Sequence, residues 1–167
     1  IVFTHHISAL ESVYSKKSNR EIPLRKLKVS DHTFDDKNVN MILWRERGEN
    51  IETLHVGDVV LVQNAHARFN PFKNEMEISV SGENASGVFR TIVRREAFYG
   101  NKTIEEMRER VVPVHRKFGT TDDNATRDAV LTVCAWVYGE KMSFLYHLKE
   151  RMDLGASFRP PPPRASS

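Results

Sequence analysis

The sequence predicts a mainly β domain, a five-stranded barrel, followed by a C-terminal helical element. Three observations lead to this prediction. Apolar and polar residues alternate over several short segments of the first half, which is typical of half-buried strands. Turn-forming residues separate these segments, as short hairpin connections require. Beyond residue 120, apolar residues recur instead at spacings of three and four, the pattern of an amphipathic helix.

Size and composition limit the class of protein. The chain has 167 residues, which suits one domain with an attached element. It is 40% hydrophobic and 28% charged, which excludes wholesale disorder. The longest nearly apolar run, Ala129 to Tyr138, is shorter than the roughly 20 residues that cross a bilayer. Cys134 is the only cysteine, so no intrachain disulfide can form, and we expect an intracellular protein.

The strands of the barrel are predicted from alternation and the loops from their polarity. Tyr14 to Glu21 is polar and basic, as expected of an exposed hairpin loop. Asn70 to Asn74 is a tight turn with an aromatic ring and a cation at its tip. A first strand is predicted within Ile1 to Tyr14, with Ile7, Leu10 and Val13 as possible core residues. The other four predicted strands are Ile22–Val29, Val39–Arg47, Val59–Phe69 and Glu75–Ser81.

The second half is predicted to be helical. Thr103 to Arg110 is a short charged helix and Asn124 to Leu154 a longer one, although a strand is the alternative before Gly139. The longer helix has more apolar surface than a small barrel needs to cover, so we expect it to pack against a partner protein or a second copy. The predicted boundaries are 1–118 for the barrel domain, 119–155 for the helical element and 156–167 for an extended Pro-rich tail.

Four motifs in the first half occur in a characteristic order. They are Lys26–Thr33 with its V-x-D-x-T ending, Met41–Arg45, Leu54–Ala65 with L-x-x-G-D-V-V, and Met76–Val80. This order and spacing resemble the oligonucleotide/oligosaccharide-binding (OB) fold of single-stranded DNA-binding proteins. Within that class the pattern is most similar to the protection-of-telomeres (telomere end-binding) family, with the large subunit of replication protein A as the near relative. The resemblance does not extend beyond Phe118.

The resemblance implies a function. We expect the chain to bind single-stranded DNA, in particular the telomeric overhang, and to protect chromosome ends in the nucleus by occupancy, without a cofactor. In this fold the second and third strands, with the loops joining strands one to two and four to five, form the binding face. There a basic groove follows the phosphates and exposed rings stack on bases. The candidate residues are Lys16, Lys17, Arg20, Lys26, Lys28, His32, Phe34, Trp44, Arg45, Arg47, Arg68, Phe69, Phe72 and Lys73.

Several of these residues have a structural alternative. Trp44 is equally consistent with a place in the core, and Phe69 with a plug at the end of the barrel. His32 is as consistent with supporting the Asp31 turn as with touching a base, and the basic residues of the first loop with solvating it. A second basic cluster either extends the groove or caps the barrel; it contains Arg90, Arg94 and Arg95, together with Phe98 and Tyr99.

Catalysis is not expected. His5 and His6 are adjacent, and adjacent residues of a strand point to opposite faces, so the pair does not converge on one metal ion. Cys134 lies in an apolar run, the environment of an inert thiol. No glycine-rich phosphate loop is present. The alternative function is an OB-fold protein-interaction scaffold in a telomere or replication/recombination complex, with weak or no DNA binding. An RNA-binding barrel is a third possibility.

Overall fold

The computed structural model describes residues 1–33, 38–45, 48, 51, 53–80, 88–99, 105–106 and 123–157. Its strands are β1 (Val2–Ile7), β2 (Glu11–Ser15), β3 (Arg20–Ser30), β4 (Val39–Trp44), β5 (Val59–Gln63), β6 (His66–Asn70), β7 (Glu75–Val80) and β8 (Val88–Val93). A 3-10 turn, Arg95–Phe98, follows β8, and the C-terminal helix consists of α1 (Asp123–Trp136), a π-helical turn (Val137–Lys141) and α2 (Met142–Ser157). Most of the predicted helix Thr103–Arg110, and the tail beyond Ser157, lie outside the described residues.

The eight strands form one open, mixed sheet. Its order is β6-β7-β4-β3-β1-β5-β8, and β2 pairs with the first part of β3. Only the β4–β7 pair is parallel among the described strands. The predicted fold class, mainly β with a C-terminal helix, is confirmed. The predicted strand number is not, because there are eight strands where five were expected, and their sheet is open.

Three differences account for the larger number of strands. The predicted strand Val59–Phe69 is divided at Asn64, whose φ of 54° lies in the left-handed region that Asn tolerates. Its first half, β5, pairs with β1, whereas its second half, β6, pairs with β7. The segment predicted as one N-terminal strand forms both β1 and β2. Strand β8 was not recognised in the sequence.

Two clusters of buried side chains form the core. The first lies between β1, β5, β8 and the helix and contains Phe3 and Phe98. The second lies against β3, β4 and β7 and contains Leu27, Met41 and Val80. Each such side chain contributes about 1.5–3 kcal/mol on burial, so the two clusters hold the sheet and the helix together.

Strand β2 lies outside the core. It pairs only with Arg20–Leu24 of β3, and neither core cluster contains a residue of β2. Val13, in β2, is therefore 49% exposed, and Leu10, which precedes this strand, is 47% exposed, so their prediction as core residues was wrong. Ile7, the third predicted core residue, is partly buried against the second cluster.

The C-terminal helix packs on the sheet of its own chain. The predicted helix over Asn124–Leu154 is observed as Asp123–Ser157, and its buried residues in the first core cluster are Val130, Val133, Cys134, Val137 and Leu145. Gly139 does not break it, because the chain passes through the π-helical turn and continues in α2. Part of the apolar surface assigned to a partner is thus covered internally, and association through residues 124–154 stays a prediction. The helices of the described residues include none long and apolar enough to cross a membrane.

The turn at Gly57 and Asp58 connects the sheet to the helix. Gly57 has a φ of +95°, and a Cβ there would lie 2.7 Å from Leu145 Cδ2, so glycine is required. The fully buried Asp58 carboxylate accepts hydrogen bonds from the backbone N–H groups of His55, at 3.0 Å, and Arg95, at 2.9 Å. Arg94 Nη1 donates a third, at 3.1 Å. The Gly-Asp pair of the L-x-x-G-D-V-V motif therefore links the sheet to the segment after β8 and to the helix, and we call this turn the joint.

Burial perturbs two titratable groups near the first core cluster. It raises the pKa of the Cys134 thiol to about 12, which is typical of an unreactive cysteine. Burial, followed by the charge of Lys141, lowers the pKa of His5 to about 4. The His5 ring lies against Phe3, and its Nε2 is 2.5 Å from Ser30 Oγ. Both groups are uncharged at neutral pH.

Candidate nucleic-acid interface

Four neighbouring strands present a polar face to solvent. In β3, the exposed Lys26 and Lys28 alternate with the buried Leu27 and Val29, so the lysines lie on the side of the sheet opposite the second core cluster. We call this side of β3, β4, β7 and β6 the outer face. The helix packs against β1, β5 and β8 in the first core cluster, and Phe144 of α2 contacts His5, whose ring is bonded to Ser30 at the end of β3.

Cross-strand register arranges the outer face in two rows. The first row runs across β3, β4, β7 and β6 through Lys28, Asn40, Glu77 and Arg68. The second runs across the same strands through Lys26, Ile42, Ser79 and His66. Neighbouring strands are about 4.8 Å apart, so the ends of each row are roughly 14 Å apart. Basic side chains thus stand at both margins of a centre formed by Asn40, Ile42, Ser79 and one acidic residue, Glu77.

Trp44 lies on the outer face and is partly covered. Its neighbour two residues back, Ile42, belongs to the second row, and side chains two residues apart share a face. The indole Nε1 donates a hydrogen bond to Ser79 Oγ at 2.9 Å, which fixes the ring across β4 and β7. Trp44 is half-buried and belongs to neither core cluster. This position leaves part of the ring available to a ligand.

Glu77, which lies beside Arg68 in the first row, contacts three side chains of the β6–β7 hairpin. It is 3% exposed, and its Oε2 accepts hydrogen bonds from Arg68 Nε at 3.3 Å and Nη2 at 3.1 Å. Its Oε1 accepts one from Asn70 Nδ2 at 3.1 Å and lies 3.7 Å from Lys73 Nζ. The hydrogen bond from Asn70, followed by those and the charge of Arg68, lowers the pKa of Glu77 against the opposing effect of burial. The carboxylate is therefore charged at neutral pH.

The β6–β7 hairpin carries exposed apolar side chains at its end. Phe72, in the turn, is 98% exposed, and the cross-strand pair Phe69 and Met76 is 55% and 49% exposed. Phe69 follows Arg68, so the two side chains leave β6 on opposite faces. Phe69 is thus on the far side of the hairpin from the cations, and its exposed ring does not plug the sheet. Phe72 sits at the edge between the two sides.

The β2–β3 hairpin places the first-loop candidates in solvent. Lys16 and Lys17 are exposed in a four-residue turn and Arg20 is exposed at the start of β3. Asn19, with a φ of 49°, closes the turn and receives a hydrogen bond from the Tyr14 hydroxyl. Their exposure permits phosphate contact and equally suits a solvated loop, so their assignment stays a prediction.

The remaining candidates on β3 and β4 differ in their surroundings. Lys26 forms an ion pair with Glu11 at 2.7 Å, but such an exposed pair is worth only about 0–1 kcal/mol and can yield to a phosphate. Asp31 Oδ1 accepts hydrogen bonds from Thr33 N at 2.8 Å and Thr33 Oγ1 at 2.6 Å, so Thr33 holds that turn and His32 is exposed beside it. Arg45 is half-buried with a φ of 56°. Phe34 and Arg47 lie outside the described residues.

The second basic cluster is built into the joint and not into the outer face. Arg94 and Arg95 both bond to Asp58, and Phe98 is fully buried in the first core cluster. The Tyr99 hydroxyl donates to the Leu145 backbone oxygen at 3.1 Å. These contacts favour the capping alternative over an extension of the groove. The side chain of Arg90 lies outside the described part of the structure.

Sequence analysis missed five residues of the two rows, and three of them lie beside a candidate on its own strand. Asn40 and Ile42 alternate with Trp44 along β4, and His66 alternates with Arg68 along β6. Period-two spacing from a chosen candidate would have identified all three as its neighbours on the same face. Comparison of the chain with protein-family models and with curated proteins finds no match.

Replacing Glu77 with glutamine is expected to lower the free energy of unfolding at pH 7 by about 1–2 kcal/mol, because charge-assisted hydrogen bonds become neutral ones. The folded-state pKa of Glu77 is lowered. Its contribution is therefore present above the pKa of the unfolded carboxyl and is lost as the pH falls through the folded-state value. Urea denaturation across the acidic range measures this. His5 titrates in the wild type and in the variant alike, so its effect cancels in the difference between their free energies of unfolding. A difference that does not depend on pH would contradict the prediction.

Proposed function

We propose that the chain is an OB-fold protein that binds single-stranded DNA across the outer face. The order of the strands supports this fold. Only Asn64 and Ala65 separate β5 from β6, and counting these two strands as one gives a path β1-β3-β4-β7-β6/β5 that returns to β1. Five strands then form a partly open barrel, and β3 and β4 take the places of the second and third strands, which carry the ligand in this class.

The observation that carries the proposal is the coincidence of cations and a fixed ring on one face, where the described residues leave Lys26, Lys28 and Arg68 exposed. Lys26 and Lys28 stand at one margin, Arg68 at the other, and Trp44 is held between β4 and β7. The two hairpins at the ends of this face are the loops that flank the ligand in an OB barrel. Lysine and arginine neutralise phosphates, whereas the partly exposed indole and the Phe72 ring offer stacking surfaces.

The biological role proposed for this binding is protection of chromosome ends. A protein that lies along a 3′ overhang in the nucleus hides it from nucleases and polymerases by occupancy, and no chemistry is needed. The resemblance of the motifs to telomere end-binding proteins supports the telomeric repeat as the preferred sequence. The outer face itself supports a single strand over a duplex, since stacking requires unpaired bases.

Fluorescence anisotropy with a labelled oligonucleotide tests the proposal. We expect micromolar or tighter binding to a single-stranded telomeric repeat, weaker binding to its duplex, and a loss of about 0.7 log units per neutralised phosphate with each log unit of salt. Lys26→Ala with Lys28→Ala is expected to reduce both the affinity and this slope. Arg151→Ala, an exposed cation of α2, is the matched control and is expected to bind as the wild type does.

The other outcomes identify the alternatives. A flat titration up to high protein concentration would overturn DNA binding and favour a protein-interaction scaffold. Equal or tighter binding of RNA of the same sequence would favour the RNA-binding alternative, because the 2′-hydroxyl is the discriminating group. If Lys16→Ala with Lys17→Ala leaves the affinity unchanged, the first loop is not part of the site.

A further inference from the structure

Glu77 occupies an unexpected place for an acidic residue. It lies in the first row of the outer face, between Asn40 and Arg68. A carboxylate in a surface that binds a polyanion repels its ligand, so simple electrostatics predicts that Glu77 weakens binding. The contacts of this carboxylate, however, are all with donors of the β6–β7 hairpin. They indicate a second effect of opposite sign.

We propose that Glu77 is a positioning residue that holds Arg68 and Lys73 ready for the phosphates of a single strand. This inference rests on the proposed function and deepens it. Arg68 presents Nε and Nη2 to the same carboxylate oxygen, and a guanidinium has five N–H donors. Three of these remain for a phosphate. The Arg68 and Lys73 side chains are 63% and 59% exposed, although the carboxylate that anchors them is buried.

The anchoring reduces the entropy that these side chains lose on binding. Long cationic side chains that are free in solution have to be ordered when they grip a phosphate, and this ordering lowers affinity. Here the ordering accompanies folding instead. Asn70 contributes by holding the other carboxylate oxygen, and its own Oδ1 accepts the Phe72 backbone N–H at 3.1 Å. The cations and the turn that bears the Phe72 ring are therefore fixed by one connected network.

The direction in which Glu77→Gln changes the affinity for single-stranded DNA distinguishes a positioning role from simple repulsion. If Glu77 only repels DNA, removal of its charge tightens binding. We expect instead that binding of a single-stranded telomeric repeat weakens by about tenfold, because two cationic side chains lose their anchor. The matched control is Glu150→Gln, an exposed acidic residue of α2, whose affinity we expect to be unchanged. In a protein that already carries Arg68→Ala and Lys73→Ala, Glu77→Gln is expected to leave the affinity unchanged or to raise it, because only the repulsion of the phosphates remains.

Each outcome bears on a different claim. Binding by the wild type together with unchanged or tighter binding by Glu77→Gln would overturn the positioning role and leave the proposed function intact. Failure of the wild type to bind would overturn the proposed function, and the positioning role with it. Arg68→Lys provides a second test that does not disturb a buried group. It retains the charge but loses the two-pronged contact with Glu77, so we expect it to weaken binding too, and an unchanged affinity would contradict the inference.

Discussion

Replacing Asp58 with alanine is expected to lower the free energy of unfolding by about 3–5 kcal/mol. The carboxylate is fully buried, and it accepts hydrogen bonds from two backbone N–H groups and from Arg94. Alanine cannot accept any of them. The buried N–H of Arg95 would be left without a partner, and each such group costs about 1–3 kcal/mol.

Urea denaturation followed by circular dichroism measures this effect. Asp153→Ala, an exposed carboxylate of α2, is the control and is expected to change stability by less than about 0.5 kcal/mol. Asp58→Asn should have an intermediate effect, because the amide retains one acceptor oxygen. A loss below about 1 kcal/mol for Asp58→Ala would mean that the turn finds other partners. It would then contradict the role of Asp58 as the joint between the sheet and the segment after β8.

Local patterns were sufficient for the strands that have one buried face. Ile22–Val29 and Glu75–Ser81 were predicted from alternation alone and are observed as β3 and β7 with small changes at their ends. Alternation says nothing about which strand pairs with which. The division at Asn64 follows from the different partners of the two halves, β1 and β8 for β5 and β7 for β6, and none of these pairings was known from the sequence. The exposure of Val13 has the same cause, because β2 pairs beyond the core.

For the candidate site too, the sequence predicted neighbours along one strand but not neighbours on different strands. Lys26 and Lys28 could be placed together, since residues two apart on one strand share a face. Arg68 lies on the same face as these lysines and Phe69 on the opposite face. This placement depends on the register of β6 against β7 and of β7 against β4. Glu77 was seen only as a polar residue of an alternating strand. Its hydrogen bonds from Arg68 and Asn70, and its ion pair with Lys73, could be identified only from the hairpin geometry.

Phe72→Ala is expected to weaken binding of single-stranded DNA by about 1–3 kcal/mol, or roughly 5- to 150-fold, if one base stacks on this ring. The ring is 98% exposed at the tip of the β6–β7 hairpin. Its removal therefore takes almost no buried surface from the fold, and we expect the free energy of unfolding to change by less than about 0.5 kcal/mol. Anisotropy titrations with the telomeric oligonucleotide, alongside urea denaturation, measure the two quantities separately.

The control for Phe72→Ala is Tyr146→Ala, which removes a 42% exposed ring from the helix, beside the Tyr99 ring. Its DNA affinity is expected to equal that of the wild type. Equal losses in both variants would indicate nonspecific contact with exposed rings, and no loss in Phe72→Ala would remove the hairpin tip from the site. A fully exposed phenylalanine contributes almost nothing to folding, because its burial is nearly the same in the folded and unfolded chain. The exposed ring is therefore available for a ligand to stack on, and the titration shows whether DNA does so.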